Sequence, residues 1–98
     1  MKIDNNIKYQ TKPNYIRRKV AGNDILIPVA ENVADFNGFI ELNPAAAFIW
    51  DALKESANAK EISESLAAEF DIDESTARND TEEFMLLLIE HKMITEVC

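Results

Sequence analysis

Hydrophobic positions change texture along the chain. Residues 1–13 are polar and carry no period, so they are expected to form a flexible N-terminal arm. Two β-rich runs follow, Tyr15-Ile16-Arg17-Arg18-Lys19-Val20 and Ile25-Leu26-Ile27-Pro28, on either side of Ala21-Gly22-Asn23-Asp24. Such runs around a short Gly-Asn turn predict a β-hairpin. Pro28 either ends the second strand or stands where no N–H is needed. Residues 29–37 read as a wide connection of acidic and small residues. Gly38, Phe39, Ile40, Glu41 and Leu42 then read as a third short strand.

From residue 43 the period becomes helical. Asn43 is a good N-cap and Pro44 is pre-shaped for the first helical position. The helix they open places Ala46, Ile49, Trp50 and Leu53 on one face. Asn58 with Glu61 three residues on has the form of a capping box for a second helix, whose stripe is Ile62, Leu66 and Phe70. Asp73 caps a third, longer helix, with Glu74 favourably placed in its first turn. On that helix Ala77, Thr81, Phe84, Leu88 and His91 share one side, and Met93 and Ile94 return to a sheet or close the core. Strands segregated from helices predict an α+β domain. A three-stranded antiparallel sheet followed by three helices fits a winged-helix-like arrangement.

Length adds that this is one domain with one modest core: 98 residues, 47% of them hydrophobic. No run approaches the roughly 20 apolar residues of a membrane span, and the first residues lack the apolar core of a signal peptide. A cytoplasmic protein without membrane contact is expected. The net charge of −8 is uneven: residues 1–20 hold six bases and one acid, and the rest four bases and seventeen acids. An acidic body repels phosphate backbones, which disfavours nucleic acid as a partner. The basic start either steers an acidic peptide or simply faces solvent.

Catalytic chemistry is missing. His91 is the single histidine, and its place near the end of an apolar helix side fits a partly buried or capping role. Cys98 has no second cysteine to pair with. Asp71, Asp73, Ser75 and Glu82 occupy positions 1, 3, 5 and 12 of a calcium-loop template. Thr76 stands where that template needs glycine, and helix from about Glu74 would pull the ligands apart. No catalytic residue, metal or cofactor is assigned, and the chain is expected not to be an enzyme.

Two surfaces could hold a partner. The run Phe84-Met85-Leu86-Leu87-Leu88-Ile89 goes all the way round a helix, at about 100° per residue. Phe84 and Leu88 suit the core, with Met85 at its margin, while Leu86 points nearly away from it. Such a helix is either covered by other elements or offered to a partner, and the pattern leaves both open. The second surface is the strand of residues 38–42. At a sheet edge, its unpaired main-chain groups would accept an extended chain. Otherwise it is an ordinary strand paired within the domain.

The stretch Ile25-Leu26-Ile27-Pro28, the loop through Asp35-Phe36-Asn37-Gly38, and Phe39-Ile40-Glu41-Leu42-Asn43 followed by Ala46-Ala47-Phe48-Ile49-Trp50 carry a family resemblance. So do Glu61-Ile62, Leu66, Phe70-Asp71, Asp80, Glu83-Phe84, Leu88 and Met93-Ile94. In order and spacing, from about Tyr15 to Ile94, they resemble the PqqD-like family of RiPP precursor peptide recognition elements and peptide chaperones. The resemblance implies residues 14–98 as a peptide-binding domain. Its partners would be the leader of a ribosomally made precursor peptide and a modifying enzyme, often a radical SAM protein. It further implies that the leader adds a strand beside Gly38, Phe39, Ile40, Glu41 and Leu42 and packs along the helix of residues 74–91. The flank expected to contact it is Arg78, Thr81, Met85 and Ile89, with Leu87 on the other flank as the alternative. Leu86, Leu87 and Ile89 are more apolar than the family's usual surface there. That implies an unusually apolar leader, a self-association face, or docking to the partner enzyme.

Two other functions fit the same elements. A winged-helix regulator would lay a helix on DNA, but residues 74–92 hold five acids and two bases, the wrong sign for that role. A structural subunit would bury the apolar helix in an oligomer or larger protein.

Overall fold

The computed structural model describes residues 3, 6–13, 15–28 and 40–97. Along them run β1 (Lys8–Thr11), β2 (Tyr15–Val20), β3 (Asn23–Pro28), β4 (Ile40–Leu42), α1 (Pro44–Lys54), α2 (Ala59–Phe70), α3 (Glu74–Glu90) and β5 (Ile94–Val97). The class is α+β: three helices with two antiparallel sheets, ordered β2-β3-β4 and β1-β5.

The hairpin forms in register Val20↔Asn23 to Tyr15↔Pro28. Its two-residue turn is Ala21-Gly22, one residue earlier than the Gly-Asn pair suggested. Both turn residues have positive φ, 52° and 83°, as the hairpin turn that matches strand twist requires. Glycine takes that conformation freely; Ala21 takes it at a steric cost. On the helix-facing side of β2, Arg17 Nη1 donates to Asp51 Oδ2 of α1 at 2.7 Å, and Tyr15 meets Trp50 edge-on at 6.2 Å. These contacts seat α1 on the sheet.

Local chemistry starts each helix where the sequence predicts. The Ala46 N–H donates to Asn43 Oδ1 at 2.8 Å, with Pro44 in the first turn. Asn58 and Glu61 form the reciprocal capping box, at 2.8 and 3.1 Å. The Thr76 N–H and hydroxyl both donate to Asp73 Oδ2, at 3.0 and 2.8 Å. Those two bonds favour the ionised carboxylate, and Asp73 titrates below its ordinary value. After α3, Lys92 adopts a left-handed φ of 58°. Its N–H donates to the Ile89 carbonyl, and the Met93 N–H to that of Leu88. This pair of bonds is a Schellman closure, with Met93 and Leu88 buried together beneath it.

The core gathers Leu26 and Leu42 from the sheet, Ile49, Trp50 and Leu53 from α1, Ile62 and Leu66 from α2, and Met85 and Leu88 from α3. Each such burial contributes about 1.5–3 kcal/mol before conformational entropy is counted. Phe70 lies further out than its stripe suggests, 37% exposed, with its ring edge-on to Phe48 at 5.8 Å.

The expected arm is corrected in part. Lys8–Thr11 is a strand, paired with β5 in register Lys8↔Val97 to Thr11↔Ile94. Tyr9 also exchanges main-chain hydrogen bonds with Ala57, at 2.9 and 3.0 Å. Ile3 and Tyr9 are buried. The partners that order this segment lie about fifty and ninety residues away, which no local period reveals. Among the described residues, no helix is long and apolar enough to cross a membrane.

Candidate functional site

β4 pairs with β3 through Asp24↔Leu42, Ile25↔Glu41 and Leu26↔Ile40. Among the described residues it has no strand on its other side and is the edge of the β2-β3-β4 sheet they form. Which main-chain groups that edge presents follows from the hairpin. A two-residue turn makes Val20↔Asn23 a hydrogen-bonded pair, and antiparallel pairs then alternate. Asn23, Ile25 and Ile27 therefore bond toward β2, and Asp24 and Leu26 toward β4. On β4, Ile40 and Leu42 turn their N–H and C=O inward to β3. Glu41 turns both of its groups outward, to the edge.

Just past the end of this edge, from Asn43 on, α1 and α3 leave a groove of ≈ 300 Å³, lined by Asn43, Ala45, Ala46, Ile49, Asp80, Glu83, Phe84 and Leu87. Asn43 directly follows β4 and caps α1, so the end of the edge strand runs into the groove wall. Phe84 is half-buried, and Leu87 is 38% exposed. The surface is apolar where α1 and α3 approach and acidic at Asp80 and Glu83.

Arg78, Thr81, Met85 and Ile89 do not form one surface. Thr81 and Met85 are 0% exposed, packed inside with Ala77 and Leu88. Arg78 is exposed beside Glu74, Ser75 and Asn79. Ile89 is half-buried at a separate cavity with Tyr9 and Ile94. The buried side of α3 is rotated toward Met85 relative to expectation. Phe84 is thereby displaced from the centre of the core to its margin, where it lines the groove. Leu86, expected to point away, packs partly buried against the core. The groove instead lies on the Leu87 flank. Helical geometry alone places Asp80, Glu83, Phe84 and Leu87 on one side of α3, but it does not say which side meets α1. Of the edge residues, Ile40 is half-buried, Glu41 exposed and Leu42 buried; Gly38 and Phe39 lie outside the described residues, as do the connection of residues 29–37 and Cys98.

The calcium-template residues are spread out. Asp71 is the left-handed cap of α2, the Asp73 carboxylate caps α3, and Ser75 and Glu82 stand two turns apart on α3. Among the described residues, no cluster of three metal-ligating side chains occurs.

Comparisons with known proteins bear on this arrangement. The family model described as Coenzyme PQQ synthesis protein D (PqqD) matches residues 25–94. No curated protein matches the sequence. In fold, the chain is similar to a solved chain of "TbiB1 in Complex with the TbiA(beta) Leader Peptide", with a TM-score of 0.68 at 17% identity. The match covers 91% of this chain and 98% of that one.

Proposed function

We propose that this chain, which belongs to the PqqD family, binds the leader segment of a ribosomally made precursor peptide and presents it to a modifying enzyme. The observation that carries the proposal is the outer side of β4, unpaired among the described residues, which leads at Asn43 into the groove between α1 and α3. Edge addition draws affinity from main-chain hydrogen bonds, and neighbouring pockets for alternate side chains supply selectivity. Glu41 offers the donor and acceptor for such pairing, and Phe84 and Leu87 offer apolar surface for the guest's side chains. A leader-binding role is also what the solved neighbour's leader complex supports by analogy. The chain acts as a non-catalytic adaptor, and a radical SAM protein is the class of modifying enzyme proposed to receive the peptide.

Hydrogen exchange tests the reading directly. The probe is a synthetic leader peptide, taken from any short open reading frame that genome sequencing finds beside the gene. In the free protein the Ile40 amide is expected to be protected by its bond to β3, and the Glu41 amide, which no described strand uses, to exchange faster. On saturation with leader, the Glu41 amide becomes protected. Binding that leaves Glu41 unprotected would remove strand addition, and absence of binding would remove the adaptor role.

A further inference from the structure

Resting on that reading of the groove, we infer that it selects leaders in which a lysine or arginine stands two residues from a large apolar side chain. Along α3, Asp80 and Glu83 precede Phe84 and Leu87 on the same side of the helix, and all four line the groove. The centres of the two pairs are four residues apart, about 6 Å at about 1.5 Å per residue. In an extended guest, residues i and i+2 project to the same side about 6.6–6.8 Å apart. A segment running along α3 thus sets one side chain against Phe84 and Leu87 and its same-side neighbour between the two carboxylates.

Charge complementarity points to a cation in the second position. Among the described residues, no lysine or arginine lines the groove and neither carboxylate has an ion-pair partner. The ion pairs Lys8–Glu61, Arg17–Asp51 and Lys54–Asp51 use none of the groove residues. A guest carboxylate there would meet like charge at close range, which costs affinity and gives selectivity by exclusion.

A displayed library of random peptides, selected against the immobilised protein and against an Asp80→Asn/Glu83→Gln double variant, tests the inference. Both neutralised residues lie on the groove rim, outside the core cluster. The parent is expected to enrich a large apolar residue with Lys or Arg at i±2. The variant keeps the apolar preference and loses the basic one. A synthetic peptide from the parent selection loses about tenfold in affinity when its basic residue becomes Gln. That loss shrinks at roughly 0.5 M salt, where exposed charges are screened. Enrichment of apolar residues without a basic partner, or a basic preference that survives in the variant, overturns the inference and leaves peptide binding standing. Enrichment of no peptide at all overturns the binding role, and this specificity with it.

Discussion

Ile40 and Glu41, neighbours on β4, turn their main-chain groups to opposite sides: Ile40 to β3, Glu41 to the open edge. Proline at the two positions therefore does different things. Ile40→Pro deletes a bond of the ladder and lowers stability. Glu41→Pro removes an N–H that no described strand uses, a position where sheets tolerate proline. Thermal unfolding with leader titration is expected to show Ile40→Pro destabilised. Glu41→Pro is expected to fold but bind at least tenfold more weakly, while Glu41→Ala, which keeps the N–H, binds within a few-fold of the parent.

Met85 and Leu87 separate stability from binding in the same way. Met85 is fully buried, so Met85→Ala is expected to cost about 2–5 kcal/mol in chemical denaturation, with the affinity of the folded fraction little changed. Leu87 is partly exposed on the groove. Leu87→Ala should leave the unfolding midpoint nearly in place and reduce leader affinity about tenfold.

The Thr81 hydroxyl is buried with no hydrogen-bond partner among the described residues. An unsatisfied buried hydroxyl costs about 1–3 kcal/mol, and valine fills nearly the same shape without it. Thr81→Val is therefore expected to unfold at equal or higher denaturant than the parent. A loss of more than about 1 kcal/mol would mean that the hydroxyl has a partner after all.

Asp73 gives α3 a pH-dependent start. Its carboxylate is held below its ordinary value by the Thr76 hydroxyl and N–H. A depressed folded-state value stabilises the fold above the unfolded-state value of about 3.9, and the gain is lost as pH falls through the folded value. Asp73→Asn keeps a capping oxygen without the titration. The parent's advantage over Asp73→Asn in thermal midpoint should be constant near neutrality, begin to shrink below about pH 4 and vanish only below the depressed folded-state value.

Lys92 holds the left-handed position of the α3 closure, at φ 58°. Glycine takes that conformation without its steric cost. Lys92→Gly relieves that strain but gives up the side chain's own interaction, so in chemical denaturation it is expected to stay within about 1 kcal/mol of the parent, with no effect on leader binding.

The hairpin, the three helix starts and the α+β class were legible from the sequence alone. Each depends on residues within a few positions of one another. Ala21-Gly22 turns locally, Asn43 reaches only to Ala46, and Asn58 and Glu61 satisfy each other across one turn. The tertiary structure alone decided the rest. Pairing of Lys8 with Val97 joins segments with no shared local signal. Which side of α3 faces inward depended on how α1 and α2 pack against it, because six apolar residues in a row leave a helix no preferred face of its own. That packing buried Thr81 and Met85 and left Leu87 at the groove. The outward polarity of Glu41 came from a register begun twenty residues earlier, at the hairpin turn.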